Sequence, residues 1–261
     1  MNLDFTFNVQ VLNQNYKLRE LSFLNYRNFV KNIIDDDEKN LNSSFNTLLN
    51  YCCVEGKPKN LLEKFLILLK LRAVIVNANV EISKDETNIN LPLDVIFNTL
   101  NKPYRQYTYE MGNDIYYFDL PLNFIPYNNA IDAVIDCLVQ INDVKIDSMM
   151  KFNIQDNLPA LPINEIFTNI LKHYEDKKYY INILDFPINF FDYSAITFLK
   201  SIYSYNLKNL YDTEYALRKH FHYTAEDFKT FSLPECNIML NTLNKELAEA
   251  QKEQNNVEST R

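Results

Sequence analysis

Residues 61–72, LLEKFLILLKLR, decide how the rest of the chain is read. Eight of the twelve are apolar, too many for a single stripe, so a helix here is apolar on nearly every side. Such a helix belongs in the middle of a core, not on a surface. Asn60 stands where an N-cap would, with Glu63 three positions on. With 47% apolar residues in 261, enough greasy surface exists elsewhere to surround that rod.

Composition removes several classes of function. Net charge is −8 and the pI is near 5.0, which disfavours a nonspecific hold on nucleic acid or anionic lipid, both of which need clustered Lys and Arg. Lys70 and Arg72 interrupt the richest apolar run well short of a membrane span. The opening residues Met1 to Asp4 have neither the basic start nor the apolar run of a secretory signal, so a cytoplasmic protein is expected. Cys52, Cys53, Cys137 and Cys236 form no C-x-x-C and read as free thiols. Gly56 and Gly112 are the only glycines, and neither has a glycine neighbour. A phosphate-cradling loop, a dinucleotide fingerprint and a G-x-S-x-G elbow each need several close together, so all three are excluded.

Working outward, the N-terminal side predicts a hairpin. Residues 5–12 and 16–21 alternate apolar and polar around a turn at 13–15. Ser22 then caps an amphipathic helix built on Tyr26, Phe29, Val30, Ile33 and Ile34. The acidic run 35–38 suits a loop or the start of the next helix, since acids oppose the dipole at a helix end. Leu41, Phe45, Leu48, Leu49 and Cys52 mark that second helix. Beyond 72 the period shortens: Val76 to Ile82 alternates and 89–91 pairs back, before a short helix at 94–100. Gly112-Asn113, between the Tyr-rich runs 104–110 and 114–120, is the strongest hairpin signal, closed by Pro121 and Pro126.

From Ala130 the chain is expected to stay helical. Residues 131–141 read as a short apolar helix, 144–156 as a mixed connector, 163–174 as a helix after Pro159 and Pro162, and 195–211 as one long buried helix. The stretch 179–191 is too uniformly apolar to assign. Thr224 with Asp227 and Ser232 with Glu235 mark two capped starts. The expected class is α+β, mostly helical, with an N-terminal β-hairpin and a small central antiparallel β element. The expected division is 1–127, a helical domain 128–252, and a disordered tail 253–261.

Candidate chemistry is sparse. His220 and His222, with His173 as a third, lack any metal-ligand spacing, and residues 35–38 lack the glycine and alternating ligands of a calcium loop. No pair among 34 acids stands out as a hydrolase dyad. No catalytic residue, metal or cofactor is therefore expected. Stacking of nucleic-acid bases on tyrosine needs interleaved cations, and only Lys177-Lys178-Tyr179-Tyr180 offers them. The positive hint lies at the C-terminus, where Cys236, Leu240, Leu243, Leu247 and Ala250 step by four and three. This is a coiled-coil seam two heptads long, suited equally to the chain's own core and to a partner, including a second copy.

The order of several stretches, YKLRELSFLNYRNFVK, LLEKFLILLKLRAVIV, DIYYFDLPLNF, AIDAVIDCLVQI, LPALPINEIFTNIL and FSLPECNIMLNTLNKEL, resembles the baseplate hub subunit and hub assembly chaperone family of T4-like bacteriophages. The resemblance covers residues 5–250 and rests on apolar and charged patterns, not on catalytic signatures. It implies a non-enzymatic viral protein made in the host cytoplasm, acting as a chaperone or minor subunit of the tail baseplate hub. Its partners would be hub and tape-measure proteins. A nucleic-acid-associated viral regulator is the alternative, followed by a tail-borne cell-wall hydrolase.

Overall fold

Val11 and Gln14 pair across a two-residue turn, joining β1 (Thr6–Val11) to β2 (Gln14–Arg19). The turn is Leu12-Asn13, earlier than the expected 13–15, because that register puts Tyr16 and Leu18 on the buried face with Val11. The computed structural model describes residues 5–84, 87–124, 127, 129–157, 162–181, 186–204 and 207–258. Ser22 caps α1 (Phe23–Asp35) by accepting the Asn25 amide, and Asp37 caps α2 (Glu38–Cys52) by accepting that of Asn40. The acidic run thus ends one helix and opens the next. After α2, β3 (Cys53–Glu55) adds a third strand beside β2.

The central rod is α3 (Leu61–Ile75). Twelve of its fifteen residues are buried, Glu63, Lys64 and Arg72 among them, so the helix is enclosed all round as its composition requires. It packs against α2, β1 and two later helices, α4 (Leu93–Leu100) and α8 (Ser194–Tyr203). Phe65 meets Phe190 and Phe198 edge-on or tilted, while Phe29, Phe45 and Tyr203 make three mutual edge contacts at 5.5 Å. Between α3 and α4, β4 (Asn79–Lys84) and β5 (Thr87–Pro92) pair with Val80 opposite Leu91.

The Gly112-Asn113 hairpin forms as expected, from β6 (Tyr107–Met111) and β7 (Asp114–Phe118). Pro126 and Pro159 lie outside the described residues. The second half of the chain is not all helical. After α5 (Ala130–Cys137), residues 138–141 are strand: β8 (Leu138–Ile141) pairs with β7, and β9 (Val144–Lys145) pairs with β8. The open edge of β7 captures a short β-branched run whose local pattern suits a helix equally well. The sheet order is β6-β7-β8-β9. Then come α6 (Ser148–Asn157), α7 (Ile163–His173) and a further antiparallel pair of β10 (Tyr179–Ile181) and β11 (Phe186–Ile188).

The long helix expected over 195–211 is instead two, α8 and α9 (Leu207–Phe221). Ser204 ends α8 in an extended conformation, its hydroxyl donating to the Lys200 carbonyl, and the Tyr203 carbonyl accepts the Tyr26 hydroxyl from α1. A last-turn carbonyl left free by the helix end is thus met by a distant helix. Finally α10 runs Leu233–Glu258. It enters the expected tail, whose last residues, 259–261, lie outside the described ones.

Contacts link the residues on either side of position 127. The β7–β8 pairing crosses it, and one apolar cluster contains Leu66 and Ile196 alike. Arg72 Nε donates to the Ile202 carbonyl at 2.5 Å and the Tyr203 hydroxyl to the Leu68 carbonyl at 2.7 Å, fixing α8 to α3 by buried polar bonds as well as by apolar contact.

Candidate interaction surface

The start of α10 is doubly fastened. Ser232 and Glu235 exchange both bonds of a capping box, at 2.7 and 3.3 Å, and Ser22 forms an antiparallel bridge with Ser232. The Phe23 amide donates to the Phe231 carbonyl at 2.6 Å, so α1 and α10 begin side by side. Beside them α9 is tied to α1 through Glu214, which receives Arg27 on one side and Arg218 at 2.7 Å on the other.

Against this anchor the five stripe residues divide. Cys236 and Leu243 are buried within the chain's own core and Leu240 is half-buried. Leu247 is 47% exposed and Ala250 is exposed. From Asn244 to Lys252 every residue is exposed, so α10 leaves the body after Leu243. The exposed stretch from Asn244 to Lys252 is an arm of roughly 14 Å at 1.5 Å per residue, and the helical backbone continues to Glu258. The seam is internal at its start and unoccupied further out.

A second surface is not legible in the sequence. Val144 on β9 and Met149 and Phe152 on α6 are 55%, 75% and 66% exposed. Lys151, on the opposite side of α6, donates to the Asp136 carbonyl at 2.5 Å, which turns Met149 and Phe152 outward. Met and Phe three residues apart, inside a segment without an inward apolar stripe, are the only signal. A groove of about 330 Å³ also lies between α1 and α2, walled by Asn28, Asn32, Ser43 and Thr47 above a floor of Leu21, Phe29 and Leu48.

Reactive groups sit deeper. At the front of α3, Asn60 Oδ1 caps the Glu63 amide at 3.0 Å, while Glu63 accepts the Tyr16 hydroxyl at 2.9 Å and the Lys59 amide at 2.5 Å. Asn60 also donates to the Tyr104 hydroxyl at 2.7 Å, and Tyr104 donates to Asp119 at 2.6 Å. Burial, then the nearby carboxylate, pushes both tyrosine pKa values up, so these phenols stay protonated donors. Burial likewise raises Cys52 to about 12 and Cys236 to about 12, far from a thiolate at neutral pH. Lys64 is lowered to about 8 by desolvation and donates to Asn46 at 2.8 Å.

His173 ends α7 and contacts the Arg105 carbonyl at 2.8 Å, whereas His220 lies in the last turn of α9 and His222 just after it. Among the described residues no group of three His, Cys, Asp or Glu side chains is arranged to hold a metal, and no helix is long and apolar enough to cross a membrane. No protein-family model, curated protein or solved structure matches the chain.

Proposed function

We propose that this chain is a non-enzymatic assembly protein of a contractile phage tail, binding baseplate hub or tape-measure proteins as a chaperone or minor hub subunit. The observation that carries the binding role is the α10 arm, anchored at Ser232 and Leu243 and open to solvent from Asn244 to Lys252. Isolated helices of this length are marginal in water, so an arm with Leu247 facing out is suited to gain its stability from a partner. The outward Met149 and Phe152 offer a second contact of the adaptable kind that interfaces favour. The phage assignment draws on the order of sequence stretches that resembles the hub family.

Co-expression with candidate hub and tape-measure proteins, followed by affinity capture, tests the reading. Wild-type chain should retain one of them, and Leu247→Glu with Ala250→Glu should lose it at unchanged melting temperature. Capture of none, or capture indifferent to the arm, would sink the proposal.

A further inference from the structure

The chain is acidic overall, yet one edge of it is not. The loop 101–106 is fastened to the end of α7 by three side chains. His173 meets the Arg105 carbonyl at 2.8 Å, Lys177 donates to the Lys102 carbonyl at 3.1 Å, and the Tyr107 amide donates to the Tyr174 hydroxyl at 3.2 Å. This clamp brings Lys102 and Arg105 beside Lys172 and Lys178, residues about seventy positions away in sequence.

Lys102, Arg105 and Lys172 are exposed and make no ion pair among the described residues. Two of the acids nearby are engaged, while the exposed Glu165 and Asp176 offset part of the positive charge. Asp119 accepts from Tyr104, Asn60 and Gln106, and Glu175 lies 3.9 Å from Lys178. Asp176 sits beside Lys177, which is buried and acts as a fastener, not as a free cation. Desolvation lowers the Lys177 pKa, Asp176 opposes that shift, and Lys102 adds a smaller push in the same direction as burial, which places the Lys102 ammonium near Lys177.

We propose that the edge formed by Lys102, Arg105, Lys172 and Lys178 docks an acidic segment of a partner protein. The inference rests on reading the chain as a protein-binding body and adds the chemistry of one partner surface. Arg105 can take a carboxylate with two parallel N–H bonds, and the lysines supply point charges around it. A protein partner is favoured over single-stranded nucleic acid because the rings here are occupied. Tyr104 packs edge-on to Tyr174 beneath Lys177, and Tyr107 packs against Phe118 and His173, so neither of these two described rings is an open platform for bases.

A fluorescein-labelled hexaglutamate peptide, followed by anisotropy with the full chain, tests this. A molecule of net charge −8 should repel the probe unless a local cationic site holds it. Saturable binding is expected at low salt, weakened about tenfold or more on raising salt past the point where the Debye length falls to ~10 Å. Lys102→Glu with Arg105→Glu should abolish it. The clamp uses their backbone carbonyls, so the fold should persist, and a melting temperature near wild type checks that. If that pair unfolds the chain, Lys172→Gln supplies the same readout with an expected fall of at least threefold.

Lys245→Glu, on the α10 arm, should leave binding unchanged. No binding at about 1 mM chain, equal loss in the arm variant, or tighter binding of an oligothymidylate than of the peptide overturns the proposal. Each of those results leaves arm-mediated capture of a hub protein standing or falling by its own experiment.

Discussion

Three hairpins in this chain turn on a single residue at positive φ: Leu12 at 54°, Gly112 at 64° and Asn142 at 49°. Only Gly112 announces itself in sequence, because glycine adopts that conformation freely. The other two are held by contacts from elsewhere. The Leu12 amide donates to Asn101 Oδ1 at 2.5 Å, and Asn142 exchanges bonds with Ile115 and Asp114 across the strands. The two glycines then predict different costs. A Cβ at Gly112 meets nothing within 4 Å, so Gly112→Ala should lose only the conformational share, about 1 kcal/mol. At Gly56 (φ +89°) it would stand 2.6 Å from the Tyr16 ring and disturb the bond to Glu63, so Gly56→Ala should lose about 2–4 kcal/mol in urea unfolding. Lys64 carries a pH prediction. Its pKa is depressed to about 8 in the folded chain from 10.5, so the charged amine opposes folding below pH 8 and that penalty fades as pH rises toward 10.5. Lys64→Met should therefore be more stable than wild type at pH 7, by about 1–3 kcal/mol, with the advantage shrinking at pH 9–10.

At the scale of elements, α10 is the helix whose reading the sequence left open, and the fold divides it. A stripe of four-three spacing looks the same whether it meets its own body or another chain, because periodicity records which face is apolar and not what covers it. The division predicts opposite behaviour for neighbouring leucines. Leu243→Glu buries a carboxylate among apolar groups and should cost about 3–5 kcal/mol by thermal or urea unfolding. Leu247→Glu, one turn further and already exposed, should change stability by less than about 0.5 kcal/mol. Equal destabilisation by both would show the arm packed against its own body. The break between α8 and α9 is likewise not legible in the local pattern. Residues 195–211 satisfy helix periodicity throughout, but the Tyr26 hydroxyl takes the Tyr203 carbonyl and Ser204 turns away.

On the whole-molecule scale, α3 closes the structure. Leu66, Ile67 and Leu68 have no solvent exposure, and α8, more than a hundred residues later, supplies part of their cover. A fragment of residues 1–127 therefore loses the Ile202 carbonyl that accepts from Arg72 Nε, and the α8 side of the rod's cover. Expressed alone, it should bind the dye ANS and melt without a sharp transition. A cooperative melt of that fragment would show two independent cores. The same burial explains why the titratable network at Glu63, Tyr16 and Tyr104 serves as structure: its carboxylate and phenols are satisfied by one another within the molecule.

The amino-acid sequence by itself determined the elements whose cause is local. An all-round apolar helix must be interior, Gly112 permits its turn, and Ser22, Asp37, Asn60 and Ser232 supply oxygens to the first free amides of their helices. Tertiary structure decided what depends on distant neighbours: the capture of residues 138–141 by the edge of β7, the positive φ of Leu12, the outward Met149 and Phe152, and the cationic edge at Arg105 and Lys172. In each case the local pattern fits more than one outcome. The choice among them belongs to hydrogen bonds and contacts between residues far apart in the chain.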